Sequence, residues 1–174
     1  MNSIYVVLAL RLVHIVSGVF WAGSVIFLTW FVTPSIIGSG PAGGQVMEQL
    51  MRVRKMPFYL ITAMLLTVLS GITLYGRDHE AFGSGWIHTG TGMTFTAGGI
   101  LAIVGAAIGV FVNTPIAKRM SALGASIKSS GQPPTAEQAA MMATLQKRLL
   151  GASHLAAGLL ILATVAMATA RYVP

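Results

Sequence analysis

The sequence contains no cysteine, so disulfides, thiolate metal sites and cysteine nucleophiles are all excluded. Charge is nearly as scarce. Asp, Glu, Lys and Arg make up 9% of the 174 residues, where a soluble domain carries about a quarter. That is too little polar surface to cover a water-facing globule, which excludes a soluble enzyme, a nucleic-acid binder and a disordered chain. Acidic residues are the rarest of all. Glu48, Asp78, Glu80 and Glu137 are the four, and each falls between apolar runs. No carboxylate is left for an intramembrane proton relay, an acidic cation-transport site or a Ser-His-Asp triad.

What the chain does have is apolar length. Hydrophobic residues make up 55% of it, and the mean hydropathy is +0.77. Four apolar stretches stand out, at 4–33, 57–75, 86–112 and 149–170. Each is near the roughly 20 residues that span a ~30 Å hydrocarbon core. Backbone groups in lipid must be satisfied within the segment, so each run is expected to be a helix. The first run lacks a basic start and a small-residue cleavage site, and it reads as a retained transmembrane helix. Thr135 and Gln138 form a capping box three residues apart, so the last helix is expected over 136–171, entering the membrane without a break. The expected fold is all-α: one integral membrane domain, an antiparallel four-helix bundle with helices over about 4–33, 57–75, 86–112 and 136–171.

The formal net charge is +7, but the basic residues are placed asymmetrically. Arg52, Arg54 and Lys55 lie in the first loop, and Lys118, Arg119, Lys128, Lys147 and Arg148 in or beside the third. The opposite ends offer Arg77 and Arg171. The positive-inside rule then puts loops one and three in the cytoplasm and both termini outside, in a bacterial inner membrane. The segment 39–44 reads as a turn-rich break. Residues 45–55, with Val46, Met47, Leu50 and Met51 at helical spacing, read as a helix along the inner membrane surface.

Small residues mark helix contacts. Gly18 and Ala22 are four apart, Gly105 and Gly109 form G-x-x-x-G, and Gly151 and Gly158 flank a run of alanines. Such spacing favours close helix packing in lipid, and a flat cofactor is the alternative use of the room.

Few ionisable residues lie within the apolar runs, and such residues are commonly functional. Counting about 20 residues back from Phe31 sets the outer boundary near Arg11. His14 is then one turn below the outer surface and His88 is near that same surface. His154 is one turn in from the cytoplasmic side, roughly 15–20 Å away in depth. His14 reads either as an axial haem ligand or as a neutral histidine bonded to a neighbouring helix. Ser17, Gly18 and Trp21 share its face, and Arg11, one turn above, is placed to pair with a propionate. His88 is the expected second ligand and His154 the alternative, each with a packing or interfacial role as the other reading. His79, between Asp78 and Glu80, reads as a solvated loop residue. The ten methionines are scattered, and packing explains them better than a Cu(I) site does.

Several short motifs resemble a known group. They are Leu12-Val13-His14-Ile15 with Trp21-Ala22-Gly23 seven residues on, Arg52 ahead of Pro57, Ser70-Gly71, and Trp86-Ile87-His88. The chain resembles the four-helix membrane proteins that include the HemJ-type protoporphyrinogen oxidases and the CopD-type copper-resistance domains. In the HemJ-type proteins the resemblance implies haem b on the first-helix histidine, which carries over to His14. The chain departs from the oxidase pattern at Gly90, where that pattern has lysine. It departs again over 148–154, where Arg148 is followed by no acidic residue and no proline. The resemblance thus implies the haem-binding fold rather than the oxidase reaction. The expected function is haem b binding for electron transfer, possible redox partners being other proteins or further copies of the chain. A CopD-like metal-handling protein without haem and a purely structural membrane subunit are the rival readings.

Overall fold

The computed structural model describes residues 4–174, with Pro41 described by its backbone alone. The described residues form helices and short connections, with no strand. Helix α1 spans Ile4–Gly38, α2 spans Gly40–Glu48, α3 spans Met56–Phe82, α4 spans Gly90–Ser130 and α5 spans Ala136–Tyr172. Four of these, α1, α3, α4 and α5, are long and apolar enough to cross a membrane, at 35, 27, 41 and 37 residues. At 1.5 Å per residue they reach about 40 to 60 Å, longer than the ~30 Å hydrocarbon core. The fold is an all-α four-helix membrane bundle whose helices run on past the bilayer.

Prolines explain why α1 and α4 outlast their apolar runs. A proline inside a helix lacks an N–H and crowds the carbonyl four residues back. Both helices widen into a π-helical turn just before the proline: Leu28–Val32 ahead of Pro34, and Ile108–Asn113 ahead of Pro115. In each, a threonine N–H reaches five residues back, Thr33 to Leu28 and Thr114 to Gly109. Thr114 Oγ1 donates to the same Gly109 carbonyl at 2.9 Å. The hydrogen-bond ladder is thereby carried through the proline instead of ending there.

Two glycine positions differ from the turn-rich reading of 39–44. Gly40 has φ +55° and turns the chain sharply out of α1. Gly43 lies against the Ile36 carbonyl so closely that a Cβ would collide with it. Glycine here folds α2 back onto the end of α1, so α2 starts at Gly40 rather than near Gln45. The third apolar run is also divided. A 3₁₀ turn, Ser84–His88, precedes α4, and Thr89 caps α4 by accepting from the Gly92 N–H at 3.1 Å. At α5 the Thr135–Gln138 capping box is present in both directions, at 3.2 and 3.0 Å.

The bundle is built from two tight pairs, α1 with α3 and α4 with α5. Between α4 and α5 the contact is made by small residues. Gly98 approaches Ala166, Met167 and the Ala163 carbonyl, and Gly105 sits on Leu160, where a Cβ would be 3.4 Å away. Gly109, Gly151 and Gly158 have no such neighbour, so the expected G-x-x-x-G contact is made by its first glycine, with Gly98 one heptad earlier. Trp21, Ala63 and Leu160 are buried together and join the two pairs, flanked by Val25, Met64, Ala102 and Ala106. Large apolar side chains such as Phe31, Leu69, Ile100 and Leu162 are turned outward. An exposed apolar shell of this extent suits lipid and not water.

Candidate functional site

The seam between α1 and α3 differs from that between α4 and α5 by being polar. On α3 the residues Ala63, Thr67, Ser70 and Gly71 recur at four, three and one, so they line one face. Three of them, Ala63, Thr67 and Ser70, are buried. Across from them α1 presents His14, buried Ser17, Gly18 and buried Trp21. Gly18 faces the Thr67 methyl, where a Cβ would make contact at 3.4 Å. At Gly71 the absence of a side chain makes room for the His14 ring: a Cβ there would stand 2.8 Å from Cε1.

The hydrogen bonds in this seam assign the His14 tautomer. His14 Nδ1 lies 2.8 Å from the Thr67 carbonyl oxygen. A carbonyl can only accept, so Nδ1 carries the proton and donates. Ser70 Oγ is 3.3 Å from the same nitrogen. Its own proton is directed to the Leu66 carbonyl, which leaves the oxygen free to accept from His14 as well. Ser17 donates to the Val13 carbonyl at 2.6 Å, and Thr67 Oγ1 lies 2.7 Å from the Ala63 carbonyl and 2.9 Å from Ser17 Oγ. With Nδ1 turned toward α3, Nε2 carries the lone pair on the opposite side of the ring, available to a metal or a hydrogen-bond donor.

Arg11 is half-buried one turn before His14, on the same face of α1. Trp86 is buried and packs on Tyr75, ring centroids 5.2 Å apart, with the Phe95 ring also near it at 6.3 Å. Tyr75 is one turn of α3 beyond Gly71, so the Trp86 turn brings His88 to the same end of the bundle as His14. The His88 side chain itself is exposed. His154, on α5, is also exposed. Its Nδ1 donates to the Leu150 carbonyl of its own helix at 2.7 Å, and its ring stands edge-on to Trp30 at 5.6 Å. Trp30 is 16 residues from His14 along α1, about 24 Å at helical rise. His79 is exposed near the end of α3.

The structure thus brings His14, Gly18 and Trp21 to one buried seam, places His88 at the same end, and leaves His154 near the other. Among the described residues no three of His, Cys, Asp and Glu come together as a metal-holding group. The residues that single-helix reasoning missed are the partners on α3, namely Thr67, Ser70 and Gly71. Their signal is a small and polar stripe, Ala-Thr-Ser-Gly, inside an otherwise Leu- and Ile-rich helix.

No protein-family model, curated protein or solved structure matches the chain.

Proposed function

We propose that the chain is an inner-membrane protein that binds b-type haem through His14 and serves electron transfer, alone or as a small subunit of a larger redox complex. The observation that carries this reading is the His14–Thr67 hydrogen bond. A histidine whose Nδ1–H is held by a backbone carbonyl is oriented to offer Nε2 to a metal. Imidazole is the common axial ligand of haem iron. The residues fit one such ligand: the ring is seated against glycine and its tautomer is defined by the Thr67 carbonyl. Haem bound there would supply one-electron redox chemistry.

The chain's own residues have definable tasks. Thr67 and Ser70 orient the imidazole. Ser17 braces Thr67 through the hydroxyl contact. Arg11, one turn toward the outer end, is the candidate partner for a propionate. His88 is the candidate second ligand because it shares that end. His154 is about 24 Å along α1 from His14, too far for one iron to take both. The resemblance of the His14 motif to the HemJ-type proteins supports the same reading of His14.

The test is haem content after purification of the wild type and of His14→Ala, His88→Ala and His154→Ala. Loss of haem in His14→Ala, with haem retained in His154→Ala, supports the assignment. Equal haem in wild type and His14→Ala contradicts it.

A further inference from the structure

The first turn of α4 is gripped by backbone from two sides, and the grip bears on His88. Gly90 and Gly92 are two residues apart, about 200° around the helix, so they face nearly opposite ways. At Gly92 the Ser84–His88 turn lies directly on the helix. A Cβ there would collide with the Trp86 carbonyl and stand 2.9 Å from Ile87 Cα. Thr89 fastens that contact. Its N–H and its Oγ1 both donate to the Trp86 carbonyl, at 3.0 and 2.7 Å, while Oγ1 accepts from the Gly92 N–H. His88 lies between these tied residues, so its backbone goes where the first turn of α4 goes. Trp86 in turn packs on Tyr75 of α3, the helix that seats His14.

At Gly90 the opposite side is taken by the residues that follow α5. That helix ends in a 3₁₀ turn, Ala170–Tyr172, with Ala170 buried, and Val173 after it is extended. The Val173 carbonyl accepts from Thr91 Oγ1 at 3.0 Å. A Cβ at Gly90 would collide with the Pro174 carbonyl and stand 2.8 Å from Val173 Cγ1. The side chains of Tyr172 and Val173 are exposed, so this segment is held by Ala170, by the Thr91 bond and by its fit against Gly90. The first turn of α4 cannot swing away from the Trp86 carbonyl without driving Gly90 into Val173 and Pro174. We propose that Val173 and Pro174 are a backstop that positions His88, with Thr91 as the positioning residue that latches it. The backstop holds the first turn of α4 against the Ser84–His88 turn and so fixes where His88 stands relative to His14. Its consequence for haem rests on the reading of His88 as the second ligand.

The test uses the full chain in detergent micelles. Hydrogen exchange over residues 84–93, read by mass spectrometry, reports the outer turn whether or not haem is bound. Thr91→Val removes the bond to Val173 and should speed exchange there about fivefold, the effect of one lost hydrogen bond. Thr91→Ser keeps the hydroxyl and should exchange at the wild-type rate. Gly90→Ala sets a Cβ against the Pro174 carbonyl and should speed exchange at least as much; if it does not fold, Thr91→Val decides alone. Thr164→Val removes a hydroxyl that donates to the Leu160 carbonyl elsewhere on α5 and should leave 84–93 unchanged. In haem-loaded protein Thr91→Val should keep its haem and shift the spectrum toward high spin, in the direction of His88→Ala. Wild-type exchange over 84–93 in Thr91→Val overturns the backstop. Faster exchange with an unshifted spectrum, where His88→Ala does shift it, overturns its action on His88. A wild type without haem, or one whose spectrum His88→Ala leaves alone, contradicts the ligand reading instead, and the exchange comparison still decides the backstop.

Discussion

The His14 ring and Gly71 fit each other with no spare room: a single Cβ at position 71 would stand 2.8 Å from His14 Cε1. The contact is between the far end of the His14 side chain and a helix backbone, so the ring is the part that must move. Gly71→Ala is therefore expected to push the imidazole off α3 and to break its bond to the Thr67 carbonyl. The cost should be about 1–3 kcal/mol, as for overpacking elsewhere. Comparing thermal melting of the variant and wild type in one detergent checks it. An unchanged melting temperature would mean that the ring has a second position of equal energy.

Thr67→Val keeps the shape of the side chain and removes the hydroxyl that contacts Ser17 Oγ and the Ala63 carbonyl. The Thr67 carbonyl that holds His14 remains. The expected result is a loss of about 1 kcal/mol or less with His14 still in place. A His14 ring resonance at its wild-type chemical shift in Thr67→Val would agree with that, and a moved resonance would give the hydroxyl a larger part in placing the ring.

The α4–α5 contact separates two glycines of one motif. Gly105→Leu should destabilise the bundle by about 1–3 kcal/mol, because Leu160 and the Ala156 carbonyl already border that position. Gly109→Leu should be nearly silent, since nothing lies within 4 Å of its missing Cβ. Denaturant or thermal unfolding of the two variants decides between them. Equal losses would place Gly109 in a contact, for instance with another copy of the chain.

The number of membrane helices, their order and the α5 cap were legible in the sequence because they depend on local quantities: apolar run length and the Thr135–Gln138 spacing. The ends of α1 and α4 were less so. Their apolar runs end at 33 and 112, just before Pro34 and Pro115, and π-helical turns there carry the helices on past the prolines. G-x-x-x-G spacing named two glycines where packing uses Gly98 and Gly105, because spacing along one helix does not say which face its neighbour takes. His14 stood out as an ionisable residue within an apolar run. Its partners did not, since Thr67, Ser70 and Gly71 are ordinary residues that matter only once α3 is laid against α1.

Orientation rests on the eight basic residues in or beside the first and third loops. A reporter that works only outside the cytoplasm, fused after Pro174, is expected to be active. Activity of a cytoplasmic reporter at the same position would reverse the topology and move His14 to the inner leaflet.

The most direct test of haem at His14 is the dithionite-reduced minus oxidised absorption spectrum of the purified protein, measured beside His14→Ala. A sharp α band with a Soret band in the wild type, lost or strongly reduced in a folded His14→Ala variant, is the predicted result. A colourless wild-type protein recovered from haem-replete cells, or a His14→Ala spectrum identical to the wild type, would contradict it.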